Sequence, residues 1–231
     1  MLVSDWLPVY EAILDDFGFD RAGDERVRDR LAALTDPFDL DRLAGFEGAS
    51  VAIAGGGPSL DRDLADVRRA DVVVAASNAA AVCRDAGLDV DLMVTDLDKV
   101  PAAAVSLTRE GTPVAVAAHG DNRPEIEEWV PRMRTENVLP TTQAEPVGSV
   151  VNFGGFTDGD RAAFLADHLG ARTLTFAGWD LDDPSVDAMK RRKLVWAERL
   201  LRWLELRRDE RFALLDGRRE GIDTSALPVE K

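Results

Sequence analysis

Cysteine is nearly absent. Cys83 stands alone, which excludes an intrachain disulfide and a cysteine-built metal knuckle and matches a reducing compartment. No segment approaches the roughly 18 consecutive apolar residues of a membrane span. The opening stretch MLVSDWLPVYEAILDDFGFD lacks the basic n-region of a secretion signal, so the expected location is cytoplasmic. Lysine is scarce as well: 4 Lys stand against 24 Arg, while the acids are 29 Asp and 14 Glu. The resulting net charge of −15 provides no basic surface for nucleic acid or anionic lipid. An Asp-rich, Lys-poor surface is what very high intracellular salt favours, because a short Debye length makes self-repulsion among carboxylates cheap. The expected setting is halophilic, and most of the aspartates are expected to be solvated surface.

What is present suffices for a core. The chain has 231 residues, 45% of them hydrophobic, enough for one large domain or two small ones. Residues 1–47 read as a helical segment: Leu2, Trp6, Val9, Tyr10, Ile13, Leu14 and Phe17 recur at helical spacing, a second run covers Asp24–Leu34, and Asp36-Pro37 breaks the pattern. From Ser50 short apolar runs alternate with helical stretches. The expected strands are SVAIA (50–54), DVVVAA (71–76), DLMVT (91–95), PVAVAA (113–118), NVLP (137–140) and TLTFAG (173–178), with helices near 61–69, 79–86, 101–109, 124–134 and 159–169. Strands apolar on both faces with helical connections predict an α/β fold with a doubly wound, mostly parallel sheet. A long helix is expected from Ser185 to Leu206, its apolar face marked by Leu194, Ala197, Leu200, Leu201 and Leu204. The expected organisation is a helical segment 1–47, a catalytic α/β domain 48–215 and a loose tail 216–231.

In open α/β sheets ligands bind beyond the carboxyl ends of the strands, and each of the six expected ends carries chemistry. Gly55-Gly56-Gly57-Pro58-Ser59-Leu60 follows the first, glycines that let backbone N–H groups approach a phosphate; it is neither a Walker A loop nor a dinucleotide fingerprint. Ser77-Asn78 follows the second, a helix cap or a ligand contact. Thr95-Asp96-Leu97-Asp98 follows the third, two carboxylates that can share a hard cation such as Mg²⁺. His119-Gly120-Asp121-Asn122 follows the fourth and holds one of only two histidines; the other, His168, lies inside an expected helix and reads as structural. Thr141-Thr142-Gln143 follows the fifth, and further on Asn152-Phe153-Gly154-Gly155-Phe156-Thr157-Asp158-Gly159-Asp160-Arg161 opens a helix, where Thr157 or Asp158 can also simply cap. Trp179-Asp180 follows the sixth. Three of the four lysines are Lys99, beside the aspartate pair, and Lys190 and Lys193, i and i+3 neighbours on the long helix. Glycine loop, paired carboxylates and lysines together suggest a magnesium–nucleoside polyphosphate.

The motifs GGGPSL, SNAA, TDLD, HGDN, TTQ, NFGGFTDGDRA and KRRKL, in this order over roughly residues 48–200, resemble the archaeal 6-hydroxymethyl-7,8-dihydropterin pyrophosphokinases of the MptE-like type. The resemblance implies a Rossmann-like fold akin to thiamine pyrophosphokinase. It also implies transfer of the pyrophosphoryl group of ATP to the pterin hydroxymethyl with release of AMP, in tetrahydrofolate or tetrahydromethanopterin biosynthesis. With it come Mg²⁺ and ATP, small-molecule partners rather than nucleic acid or membrane, and compatibility with a homo-oligomer. Carried onto this chain, Asp96 and Asp98 would hold Mg²⁺, with Asp121 and Asp158 or Asp160 as further candidates. Gly56, Gly57 and Ser59 would hold phosphate. Lys193, Lys190 and Arg161 would neutralise the transferred group, and Asn78, Thr142, Gln143 and Asp180 would meet the pterin or adenine edges. Asp180 or Asp121 could instead match the 2-amino and N3 donors of a pterin, and His119 or an aspartate could take the hydroxymethyl proton. The sequence departs from the family's pattern at Ala117, where a histidine two places before His119 is usual. A nucleotide-sugar transferase on the same scaffold and a non-catalytic nucleotide-binding module are the alternatives.

Overall fold

The computed structural model of the chain describes residues 1–229. Its centre is a sheet of six parallel strands: β1 (Ser50–Ala54), β2 (Val72–Ala76), β3 (Leu92–Thr95), β4 (Val114–Ala118), β5 (Val138–Thr142) and β6 (Thr173–Ala177), in the spatial order 5-4-3-2-1-6. All six expected strands are present. Their side chains alternate between two apolar layers. Val51, Ile53, Val72, Val74, Leu92 and Val94 face one layer; Ala52, Ala54, Val73, Ala75, Met93, Val114 and Val116 face the other. A sheet buried on both faces needs apolar residues at nearly every position, which is why the runs read as continuous.

The crossovers β1 to β5 step in one direction, and their helices α3 (Leu60–Val67), α4 (Ala79–Asp85), α5 (Pro101–Glu110) and α6 (Arg123–Trp129) cover one face. The chain then returns across the sheet through α7 (Asp158–His168) to place β6 beside β1, and α7 with α8 (Ala188–Arg208) covers the opposite face. The reversal at β1 is the topological switch where such sheets open a crevice at their carboxyl ends.

The two N-terminal helices clasp the β5 side of the sheet. Trp6, Val9, Tyr10, Ile13 and Leu14 of α1 (Val3–Phe17) pack into the layer of α7 and α8, whereas Val27 and Leu31 of α2 (Arg21–Ala32) pack into the other. Gly18, at φ +69°, ends α1 by donating its N–H to Leu14 O, a left-handed cap that glycine adopts without strain. Asp20 then caps α2 by accepting from Ala22 N–H, so α2 begins three residues before the expected run.

Other boundaries move for equally local reasons. Pro131 ends α6 at Trp129 and turns Val130–Arg132 into a 3₁₀ turn, where one longer helix was expected. Asp187 accepts from Lys190 N–H and starts α8 there, not at Ser185. β5 runs on through Thr141 and Thr142, two residues expected in a loop. At the other end Leu227 is buried against the core; the last two residues of the expected tail 216–231 lie outside the described residues. Among the described residues no helix is long and apolar enough to cross a membrane.

Candidate active site

A cleft of about 790 Å³ opens over the carboxyl ends of the strands, and all six strand ends contribute to its wall, a size ordinary for small-molecule sites.

At the β1 end the glycines behave differently from the expectation of a free phosphate cradle. Gly55 N–H donates to Ala177 O and Gly57 N–H to Gly178 O, 2.8 and 2.9 Å, so both are spent on the last residue of β6 and the one after it. A Cβ at Gly57 would lie 2.6 Å from Gly178 O, and one at Gly56 would collide with the Asn78 amide. The glycines are there because two loops pass within backbone contact. Gly56 N–H makes no such bond. Ser59 turns inward and donates its N–H to Asp180 Oδ2 at 2.8 Å; it braces the loop from behind and does not line the cleft, which Gly56, Gly57, Asn78 and Asp180 do.

The TDLD segment folds as a tight turn. Thr95 Oγ1 accepts from Leu97 N–H at 3.0 Å and Asp96 Oδ1 accepts from Asp98 N–H at 3.1 Å, side-chain-to-backbone bonds typical of such turns. Leu97 is buried at φ +69°, and its burial leaves the carboxylates of Asp96 and Asp98 on the cleft. Burial works to raise Asp96, but hydrogen bonds from His119 and Asp98 outweigh it and hold Asp96 below the usual carboxylate range. Asp98 is pushed up to about 6 by burial and by Asp96, against the pull of Lys99 and Lys193. The two carboxylates are thus pushed in opposite directions by each other and by His119. Asp158 stands in the same field, raised by burial and by Asp96 with Arg161 opposing.

His119 reaches this pair: Nε2 lies 3.3 Å from Asp96 Oδ2. Asn122 fixes the loop, since its amide donates to Asp96 O at 2.8 Å and Ala117 O at 2.7 Å and its Oδ1 accepts from His119 N–H at 3.0 Å. Asp121 sits exposed at the rim.

Arg161, on the first turn of α7, is buried; among the described residues its guanidinium donates only to Thr142 O, at 3.1 Å, and its Nε has no partner. Around it stand Asp160, Asp158, Asp24 and Asp96. Lys99, Lys190 and Lys193 line the same cleft, the last with Nζ 5.8 Å from the Phe156 ring centre. Burial and the neighbouring Lys99 lower Lys190. Trp179 forms a flat wall, its indole N–H donating to Ile53 O at 3.1 Å and its ring filling the space against Gly159.

Two sequence expectations are corrected here. Asp160 is fully buried, and its carboxylate accepts from the N–H groups of Phe156 and Thr157 and from Thr157 Oγ1. It closes a capping box on α7 and has no free face for a metal. Thr142 is fully buried on β5, its hydroxyl donating to Ala118 O at 3.4 Å and accepting from Ala144 N–H at 3.1 Å, so it meets no ligand.

Sequence reasoning also missed a contributor. Asp24 on α2 is buried and accepts from Tyr10 OH at 2.8 Å, Gln143 Nε2 at 2.7 Å and Gly120 N–H at 2.6 Å. Burial and Asp24 hold the Tyr10 hydroxyl well above its usual range, so it remains a donor. Asp24 thus ties α1, α2, the β4 loop and the end of β5 at one point on the cleft. The signal was available: Asp24, Val27 and Leu31 form one stripe, and a carboxylate occupies an apolar position of it.

The donors around Asp96 and Asp98 are carboxylate oxygens beside like charges, the chemistry a hard divalent cation relieves. Among the described residues no three or more His, Cys, Asp or Glu side chains form a cage able to hold a metal alone. A hard cation held by the pair would take one or two carboxylates and complete its shell with water or substrate oxygens.

The chain is similar to known proteins over most of its length. A family model described as 6-hydroxymethylpterin diphosphokinase MptE-like matches residues 28–185. Three archaeal proteins carrying the name 6-hydroxymethyl-7,8-dihydropterin pyrophosphokinase are similar over nearly their whole length. That of Methanothermobacter thermautotrophicus is 37% identical, over 92% of this chain and 99% of its own. That of Pyrococcus furiosus is 34% identical, over 87% and 94%. That of Methanocaldococcus jannaschii is 30% identical, over 89% and 96%.

Proposed function

The chain belongs to the MptE-like family of 6-hydroxymethylpterin diphosphokinases, and we propose that it transfers the pyrophosphoryl group of ATP, with magnesium, to the hydroxymethyl of 6-hydroxymethyl-7,8-dihydropterin. It is a pyrophosphokinase of the kind its relatives are named for. The observation that carries the finer reading is the meeting of the Asp96–Asp98 pair, Arg161 and three of the chain's four lysines in one cleft at the switch of the sheet.

In this reaction the hydroxymethyl oxygen bonds to the β-phosphorus, the bond from that phosphorus to the bridging oxygen breaks, and AMP leaves with the bridging oxygen. Asp96 and Asp98 would hold magnesium, which when bound supplies charge neutralisation along the polyphosphate. Lys193, Lys190 and Arg161 spread further positive charge around the transferred group, where positioning and electrostatics make up most of the catalysis. Asp158 is a further oxygen donor beside the pair. With Asp96 Oδ2 accepting from His119 Nε2, Nδ1 is the ring nitrogen left to take the hydroxymethyl proton, and a loose transition state demands no strong base. Ala117, beside it in the cleft wall, carries no second imidazole, which leaves His119 or a neighbouring aspartate for this proton.

Recognition of the heterocycle falls to the β5 side. A carboxylate only accepts, so Asp24 fixes the Gln143 amide with Nε2 toward itself and the oxygen as its free end. That oxygen suits a ligand N–H such as those of a pterin's 2-amino/N3 edge. Asp180 and Asn78, across the cleft, suit the nucleotide. Whether the product enters tetrahydrofolate or tetrahydromethanopterin synthesis belongs to the same proposal.

Incubation of the protein with ATP, magnesium and reduced hydroxymethylpterin at high salt tests the reading. AMP should form in step with the pterin diphosphate and without ADP; ADP, or no turnover, would overturn it. High salt is chosen because the acidic, arginine-for-lysine composition reads as adapted to it.

A further inference from the structure

Ser77, immediately after β2, combines two costs. Its backbone lies at φ +52°, the left-handed region that a non-glycine residue occupies only under strain. Its hydroxyl is buried and has no hydrogen-bond partner among the described residues, although buried polar groups are nearly always satisfied. The backbone of the same residue is fully engaged: Ser77 N–H donates to Val94 O at 2.8 Å and Ser77 O accepts from Ala80 N–H at 3.2 Å. The hydroxyl therefore has no part in holding the turn, and α4 takes no side-chain cap from its own N-terminal residue. Three unpartnered buried side-chain atoms occur among the described residues, and two of them, Ser77 Oγ and Arg161 Nε, belong to residues of the cleft wall.

The position names the ligand chemistry. β2 lies between β1 and β3, so Ser77 stands between the Gly56 loop and the Asp96–Asp98 pair. Gly56 brings to one side an N–H that is unbonded among the described residues, and Lys99, Lys190, Lys193 and Arg161 line the same cleft. The groups suited to a heterocycle, Gln143 and Asp24, stand at the β5 side of the sheet. A hydroxyl beside a backbone N–H, in a cleft lined by those four cationic side chains, suits an anionic oxygen.

The geometry points to Ser77 as a binding residue for the polyphosphate: its Oγ donates to a phosphate oxygen of the nucleoside triphosphate. Ser77 lines the cleft, its hydroxyl the one polar group of the residue left to bond, and the inference rests on the diphosphokinase reading for the identity of the nucleotide. A glycine at this position would relieve the backbone and lose the contact, and that opposition makes the role testable.

Ser77→Gly and Ser77→Ala are compared with the unaltered protein by calorimetric titration with ATP, tripolyphosphate, adenosine and reduced hydroxymethylpterin in magnesium buffer, with thermal melts alongside. Both variants should bind ATP and tripolyphosphate roughly tenfold more weakly, the usual loss of a hydrogen bond to a charged group, and bind adenosine and pterin as before. The melting temperature of Ser77→Gly should equal or exceed that of the unaltered protein. Unchanged affinity for tripolyphosphate, a loss confined to adenosine or pterin, or a fall in the Ser77→Gly melting temperature would each overturn the assignment. Ser77-dependent binding of tripolyphosphate in a protein that forms no AMP would sink the diphosphokinase reading and leave this one standing.

Discussion

Glu205 near the end of α8 and Asp96 at the end of β3 both carry charge inside the molecule, in opposite company. Glu205 is 3% exposed. It accepts from Arg219 through both oxygens, from Arg202, and from Phe212 N–H at 2.7 Å. Arg219 in turn bonds Asp216 and Phe212 O. Donors and acceptors match, and although burial alone would raise Glu205, its partners hold it below the usual glutamate range. In the cleft, carboxylates face carboxylates: Asp98 and Asp158 are raised by burial and by Asp96, and Arg161 keeps an unpartnered Nε. A closed network holds two parts of the chain together, while an open one waits for something to complete it. Perturbed ionisation occurs in both; only the second combines it with unpaired donors and a cleft.

Substitution should separate the two. Asp96→Asn should lower turnover on the order of a thousandfold, as loss of a metal-holding carboxylate does. It should leave the melting temperature unchanged or slightly raised, because Asp98 and Asp158 lose a like charge. Turnover within a few fold of the unaltered enzyme would remove Asp96 from the site. Glu205→Ala should do the reverse. It strands Arg219 and Phe212 N–H, costs about 3 kcal/mol and lowers the melting temperature by roughly 10 °C, while kcat below the new transition stays near its original value. A smaller effect follows from pH. Glu205 has its folded pKa below its unfolded value of about 4.3, so its stabilisation is complete above that pH and is lost as pH falls through the folded value. Urea melts from pH 7 to pH 3 should show stability falling at the acid end, with a shallower fall in Glu205→Gln; parallel curves would mean the network carries no such linkage.

Much of the cleft was legible residue by residue. TDLD reads as a turn presenting two carboxylates because its bonds run between residues two apart, and the six strands read as strands because a doubly covered sheet makes each of them apolar. Asp158 and Asp160 show where this stops. They are two residues apart on one turn, and a Thr157-x-x-Asp160 spacing suggests a capping box. Which aspartate caps and which reaches the cleft depends on the helix's first turn, and the structure gives the cap to Asp160. Ser77 was visible as a residue at a strand end, but neither its φ nor its empty hydroxyl leaves any mark in sequence.

The apolar periodicity, the breaks and the charge inventory sufficed to name the order and kind of nearly every element, since those follow from interactions within a few residues along the chain. Tertiary structure alone decided that α1 and α2 clasp the β5 side and bring Asp24 into the cleft, and that two of three loop glycines spend their N–H groups on the strand beside them. It also decided that Arg161 stands near Asp24 and Asp96. Each of these joins residues tens to more than a hundred positions apart, set when the chain's path across the sheet reverses at β1, and no local spacing encodes the partner.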